Sequence, residues 1–273
     1  MKDISFDFSG RKVAVTGGAG VLGADLVRAL VQHGADVAVM DLNMPAASEL
    51  CNSLKQSPGS AMAIETNVLD RENLQQSFQV ALNHYGHIDI LINGAGGNSP
   101  KATVRPDLSF FDIPADGLDF VFNLNLMGTI LPSQILGRHF AERGEGLILN
   151  ISSMNAFRPL TNIAAYSAAK AGVSNFTQWL AVHMAKNYTA KIRVNAIAPG
   201  FFFTKQNEFL LKDAGTGELT PRARTIIEHI PQGKFGEASQ LIGPSLWLLS
   251  SAAEYVTGIV LPVDGGFSAF SGV

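Results

Sequence analysis

A single cysteine, Cys51, stands in the whole chain, so no internal disulfide can brace it and stability has to come from burial. An excess of one charge is also missing. With 20 Lys and Arg against 23 Asp and Glu the net charge is −3, which leaves no basic stripe of the kind that grips nucleic acid. No uninterrupted apolar run reaches the roughly 18 residues a spanning helix needs, so no membrane partner is expected. The opening stretch MKDISFDFSGRK lacks the apolar core of a signal peptide, and a cytoplasmic location is expected. Histidines do not pair with Cys or carboxylates at ligand spacing. His84 and His87 flank a helix end where water suffices, so no metal is expected. Repeats, low-complexity tracts and Pro/Ser/Gly-rich linkers are absent as well. What the chain does have is 47% hydrophobic content over 273 residues, the size of one large α/β domain spanning 1–273 that binds small molecules.

Near the N-terminus, Lys12 to Val15 reads as a strand, Gly17 to Gly20 as a glycine-rich turn, and Val21 to His33 as a helix with Leu22, Leu26, Ala29 and Leu30 on its apolar stripe. Gly18, Gly20 and Gly23 fit G-x-G-x-x-G, in which glycines let the backbone turn sharply and approach a pyrophosphate that rests on the helix N-terminus. A second strand, Ala35 to Met40, ends at Asp41. A carboxylate there accepts hydrogen bonds from the adenosine ribose and repels a 2′-phosphate, and no Lys or Arg lies between Thr16 and Gly23, so NAD is favoured over NADP. The competing role for Asp41 is a helix cap or turn residue.

Further on, Ala61 to Glu65 and Ile88 to Ile92 read as strands three and four, with helices around 46–55 and 71–85 between them. The segment 98–111 has neither helical nor strand period, and loops of that kind at the C-terminal edge of a parallel sheet commonly carry ligand contacts. A long amphipathic stretch runs from Gly117 to Arg143. Leu147 to Ile151 then reads as a buried strand delivering Ser152 and Ser153, and in the next helix Tyr166 and Lys170 are four apart, on one face. An ammonium beside a phenol favours phenolate, which would bring the tyrosine toward the working range of a general acid-base.

Ser153, then Tyr166-x-x-x-Lys170, behind a nucleotide-binding N-terminus resembles the short-chain dehydrogenase/reductase family over nearly the whole chain. The resemblance implies an α/β fold: a single Rossmann-type, doubly wound domain with a central parallel sheet of about seven strands and helices on both faces. It implies hydride transfer to or from NAD, with Tyr166 as acid-base and Ser153 holding the substrate oxygen. Lys170 would bind the nicotinamide ribose and lower the tyrosine pKa, and the main chain of Asn125 would complete a proton relay, although an asparagine there could equally cap a bend. By the same resemblance the cofactor is held by Gly17, Ala19, Gly20, Val21, Leu22, Asp41, Leu42, Asn67, Val68, Asn93, Gly94, Ala95, Tyr166, Lys170, Pro199, Gly200, Phe202 and Thr204. Asn67 stands where the family has an acidic residue and would accept the adenine amino group through its side-chain oxygen. The family's T-G-x-x-x-G-x-G would put glycine at Val21, whereas TGGAGVLG has it at Gly20, which puts the pyrophosphate contacts in question.

Asn98, Lys101, Asn155 and Arg158 join Ser153 and Tyr166 as substrate residues, being hydroxyl and carboxylate binders. For Arg158 a plain surface charge is the rival role. NGAGGNSPKAT, SSMNAFRPL, SNFTQWLAVHMA and PGFFFTKQN are similar to the hexuronate branch of the family, D-mannonate oxidoreductase or fructuronate reductase. Other polyol or sugar-acid dehydrogenases, such as a gluconate 5-dehydrogenase, are the alternative, and a non-catalytic NAD sensor is the alternative of another class. Residues from about 200 to 233 are expected to form a substrate lid. Phe176, Trp179, Leu180, His183 and Met184 suggest, with the resemblance, a homotetramer interface, against which stands ordinary internal packing.

Overall fold

The computed structural model describes residues 6–203, 211–213 and 215–272. Strands β1 (Lys12–Thr16), β2 (Asp36–Asp41), β3 (Ser60–Glu65), β4 (Ile90–Asn93), β5 (Gly146–Ile151) and β6 (Ile192–Pro199) carry the chain across one sheet. Helices α1 (Val21–Gln32), α2 (Met44–Ser53), α3 (Arg71–Tyr85), α4 (Ala115–Phe122), α5 (Gly128–Arg143) and α6 (Ala164–Asn187) alternate with them. A two-residue strand β7 (Phe202–Phe203), helix α7 (Pro221–Glu228), a short β8 (Gly236–Glu237) paired with β7, helix α8 (Ile242–Leu249) and strand β9 (Val260–Val263) follow.

The seven-stranded sheet has the order β3-β2-β1-β4-β5-β6-β9 with every pairing parallel, as the expected doubly wound domain requires. Parallel strands are covered on both faces, and alternate residues supply the two cores. Val13, Val15, Val37, Val39, Ile90 and Ile92 face α1 and α8, while Ala14, Ala38, Met40, Leu91 and Ile148 face α3, α5 and α6. The strand order reverses between β1 and β4, and a crevice opens there at the carboxyl ends, where such sheets take their ligands.

Element ends follow local chemistry. Asp70 caps α3 by accepting from the Glu72 and Asn73 N–H groups at 3.0 and 3.1 Å, and Gly86, at φ 78°, lets the chain leave it. Between α4 and α5 the expected single helix widens into a π-helical turn over Asn123–Met127. Buried Arg193 on β6 gives its guanidinium to the carbonyls of Leu248, Ser250 and Val256 at 2.9 to 3.1 Å, tying the end of α8 and the approach to β9 to the sheet. Of the expected lid, α7, β7 and an isolated Lys212–Leu219 bridge are seen, and the first of its two helical stretches lies outside the described residues. No described helix is long and apolar enough to cross a membrane.

Candidate active site

The carboxyl end of β5 and one face of α6 bring the expected catalytic set together. Lys170 is only 4% exposed, and its Nζ donates to the Ile151 carbonyl at 2.7 Å and lies 5.6 Å from the centre of the Tyr166 ring. Ser153 caps the turn Met154–Ala156, its Oγ accepting from the Asn155 N–H at 3.2 Å while its hydroxyl meets the Tyr166 phenol. Asn125 sits inside the π-helical turn, fully buried. Its amide donates to the Gly97 and Val121 carbonyls, both at 2.7 Å, and accepts from the Gly97 N–H at 3.1 Å. That grip explains Gly96: a Cβ there would lie 2.7 Å from the Asn125 Oδ1 and 3.3 Å from the Lys170 Nζ.

One expectation is corrected here. In the protein alone, burial pushes the Tyr166 phenol up and the Ser153 hydroxyl pulls it back by less. Burial also brings Lys170 down to about 8. Both groups are withdrawn from water, and the ammonium is engaged by a carbonyl rather than by the phenol oxygen, so desolvation outweighs the lysine's attraction.

The dinucleotide side is built from β1, β2 and β4. Gly17, at φ 63°, passes so close to the β4 loop that a Cβ would stand 2.7 Å from the Ala95 backbone, and a Cβ at Gly23 would stand 2.3 Å from the Gly17 carbonyl. Gly20 precedes α1 with no side-chain cap and no acid follows in the first turn, leaving the helix N–H groups for an anion. Val21 opens α1 at 36% exposure, so the shifted glycine leaves the helix start intact. Asp41 is the last residue of β2. One carboxylate oxygen accepts from the Ala19 N–H at 3.0 Å and the other from the Asn43 N–H at 2.9 Å. It is therefore a turn residue as well as a tie to the glycine loop, and the cap of α2 is Asn43. Leu42 is 63% exposed beside it. These groups fit a dinucleotide whose ribose lacks a 2′-phosphate.

Residues 11–214 match the family model for short chain dehydrogenases. The chain belongs to that family. An uncharacterized oxidoreductase of Haemophilus influenzae is 46% identical over 96% of this chain and 94% of its own length. The 2-dehydro-3-deoxy-D-gluconate 5-dehydrogenase of Escherichia coli is 31% identical over 97% and 98%. A solved structure described as that of a candidate D-mannonate oxidoreductase from Haemophilus influenza, with NAD bound, is similar at a TM-score of 0.91 and 46% identity, covering 98% of each chain. This dehydrogenase is thus an oxidoreductase acting on alcohol groups.

Other cofactor residues expected in the dehydrogenase sort themselves by geometry. Asn93 lies within β4, fully buried, donating to Ser133 Oγ at 2.9 Å and Asn150 Oδ1 at 2.8 Å, so its side chain braces the sheet and does not face a ligand. Gly94 follows with its N–H on the Thr16 carbonyl at 3.0 Å. The Asn67 side-chain oxygen accepts from the Leu69 N–H at 3.0 Å, closing a turn, and that bond competes with the one expected to adenine. Val68 turns its side chain into the core, so only its backbone is left for the ring. Leu22 and Phe202 pack with Ile197 and Leu241 below Pro199 and Gly200. Thr204 lies outside the described residues.

On the substrate side the loop 98–111 is fastened to the loop before α6 by the Val104 N–H on the Asn162 carbonyl at 2.9 Å. Asn98 gives its amide to Thr103, and Lys101 pairs with Asp116 at 3.6 Å in the open, so both have partners of their own. Arg158 is exposed and makes no ion pair with any described residue. Sequence reasoning missed Ser152 and Ser174, whose hydroxyls meet at 2.7 Å behind Lys170, and Thr177, which receives the Asn150 amide. The signal was present at i+4 and i+7 from Lys170 on α6, but small hydroxyls at those spacings announce no partner.

A phenol raised by burial stays protonated at neutral pH, where it can act only as an acid. Ketone reduction, which needs the protonated phenol, should therefore be flat with respect to Tyr166 from about pH 6 up to the ordinary phenol value near 10, while alcohol oxidation, which needs phenolate, should rise with pH. Initial rates in both directions from pH 6 to 10 check this, and an oxidation rate that falls across the range contradicts it.

Proposed function

We propose that the protein is an NAD-dependent dehydrogenase interconverting a secondary alcohol and a ketone on a sugar acid, D-mannonate and D-fructuronate, at the site of Ser153, Tyr166 and Lys170. The similarity to the NAD-bound candidate D-mannonate oxidoreductase, at 46% identity over 98% of each chain, carries this reading. The juxtaposition of Lys170 and Tyr166, with the Ser153 turn beside them, supports it. NAD supplies the hydride acceptor and, when bound, a positive ring that favours phenolate. Tyr166 takes the alcohol proton in oxidation and returns it in reduction. Ser153 donates to the substrate oxygen as its charge develops. Lys170, held by Ile151, keeps positive charge near the phenol, and Asn125 fixes the loop that runs beside it. Arg158 is assigned the substrate carboxylate, since its guanidinium is exposed and makes no ion pair with any described residue. Asn98 and Lys101 approach from the facing loop.

The reading is tested by following NADH absorbance with D-fructuronate, 5-ketogluconate and uncharged ketones. A kcat/KM for D-fructuronate at least tenfold above the others is expected, and a preference for 5-ketogluconate would favour the gluconate 5-dehydrogenase alternative, toward which the 31% identity to the deoxygluconate 5-dehydrogenase leans. Equal rates for uncharged ketones would remove the role given to Arg158.

A homotetramer is proposed on the outer face of α6. Leu180 and Met184 belong to the internal core, but Trp179 is 56% exposed and stacks between Phe176 and His183, and Val182 is 63% exposed. Light scattering at micromolar concentration should give four times the monomer mass, and a monomer would dispose of it.

A further inference from the structure

We infer that Ser152 and Ser174, a pair of hydroxyls behind the site, are positioning residues that fix where Lys170 stands on α6 and so how closely its ammonium attends Tyr166. The inference rests on the oxidoreductase reading above and extends it to two residues outside the reacting set. Lys170 is held at both ends by one dipeptide of the β5 strand end. Its Nζ donates to the Ile151 carbonyl at 2.7 Å, and its own carbonyl accepts from the Ser152 hydroxyl at 3.2 Å. The Ser174 Oγ lies 2.7 Å from the Ser152 Oγ, and because the Ser152 proton goes to the Lys170 carbonyl, Ser174 is the donor of that pair. Ser152 is anchored in turn. It is 2% exposed, and its N–H rests on the Ile197 carbonyl of β6 at 2.8 Å.

Farther from the site, α6 rests on the sheet through apolar groups, Leu180, Ala181 and Met184 with Ile148 and Val194. Contacts of that kind have no direction, so a helix held by them alone can slide a little at small cost. Hydrogen bonds of 2.7 to 3.2 Å do not follow such a slide. Asn150 and Ser152 share the face of β5 that looks at α6, and they meet Thr177 and Ser174 there. Lys170, Ser174 and Thr177 therefore form one polar seam, at i, i+4 and i+7 on the helix. A buried network with its bonds satisfied stiffens what it joins. A lysine side chain is a flexible stem, so a fixed ammonium needs its backbone held as well as its tip. From that backbone the Nζ reaches to 5.6 Å from the centre of the Tyr166 ring, and its attraction for a developing phenolate weakens with distance.

The experiment compares the parent with Ser152→Ala, Ser174→Ala, Ser174→Thr and Thr177→Val, all saturated with NAD. The Tyr166 phenolate is titrated by ultraviolet difference, each protein against its own Tyr166→Phe form, and D-mannonate oxidation is followed over the same pH range. Either alanine variant should raise the phenolate midpoint by about 0.5 to 1 in pH and lower kcat for oxidation at pH 8 about three- to tenfold, with KM within about twofold. Ser174→Thr keeps a hydroxyl and should restore the parent midpoint. Thr177→Val cuts the rung farthest from Lys170 and should lower the melting temperature without moving the midpoint, which separates the placing of Lys170 from a general loosening of α6. A midpoint unmoved in both alanine variants, an equal rise in Thr177→Val, or a threonine variant that behaves like alanine would each overturn the assignment. Ser174 is only half-buried, so its variants decide the matter if Ser152→Ala does not fold. A parent that oxidises no sugar acid would count against the proposed substrate alone, because the titration needs none.

Discussion

Tyr166→Phe should lower kcat by roughly a thousandfold, within the 10²- to 10⁴-fold range that a positioned general acid-base contributes, while leaving NADH binding within about twofold. The substitution removes one oxygen from a half-buried ring on α6 and leaves the ring's packing against Ala102, Val121 and Ala165 in place. Lys170 keeps its bond to the Ile151 carbonyl, and the glycine cradle is untouched. What is lost is the hydroxyl beside Lys170 that, among the described residues, can both give and take a proton at the reacting oxygen. Ser153 can donate there, but its own pKa is far too high for it to hold the proton's place as a base. Steady-state NADH absorbance measures the first quantity and fluorescence titration of NADH the second. A variant that keeps more than about a tenth of the parent rate would remove Tyr166 from the chemistry.

The second large effect is expected at Asp41. Asp41→Ser should raise the ratio of NADPH to NADH efficiency by about a hundredfold, the equivalent of about 3 kcal/mol, mostly by weakening NADH and admitting NADPH. The carboxylate stands at the carboxyl end of β2, where the ribose of the adenosine half is received, and its charge opposes a 2′-phosphate. It also secures the glycine loop through the Ala19 N–H at 3.0 Å, so the serine variant should bind NADH more weakly even before its phosphate preference is considered. Kinetics with both cofactors over the same substrate range check the ratio. An unchanged preference would mean that selection against the phosphate lies elsewhere in the site.

Much of the fold could be read in advance because it is written in short-range periodicity. The short apolar runs of β1 and β2, the apolar stripe of α1 and the four-residue spacing of Tyr166 and Lys170 each lie within one element. So does Gly17 with Gly23, although the reason for them, a Gly17 carbonyl 2.3 Å from where a Cβ of residue 23 would be, is visible only once the loop is folded. Assignments that depended on where a side chain turns fared differently. Val68, expected at the cofactor, turns its side chain into the core, and Asn67 uses its oxygen to close its own turn with Leu69. Lys101, read as a substrate ligand, meets Asp116 on α4. For Asn67 and Lys101 a neighbour close in sequence takes a group that sequence alone leaves open, and Val68 packs beside Gly128 at the start of α5. The π-helical turn at Asn123–Met127 was invisible for a related reason: its helical pattern is continuous, and the Asn125 amide within it bonds to Gly97, which is distant in sequence.

While the resemblance to the family supplied the doubly wound sheet and the role of Ser153, spacing and residue type were enough for a strand, glycine turn and phosphate-receiving helix start and for a tyrosine and lysine on one helix face. Those follow from repeats of two and 3.6 residues and from the few side chains that can do acid-base work near neutral pH. Folding decided the rest, because it sets which groups lose water and which partners they meet across the sheet. It raised the phenol of Tyr166, brought Lys170 down to about 8, and committed the Asn93 amide to Ser133 and Asn150 inside the sheet.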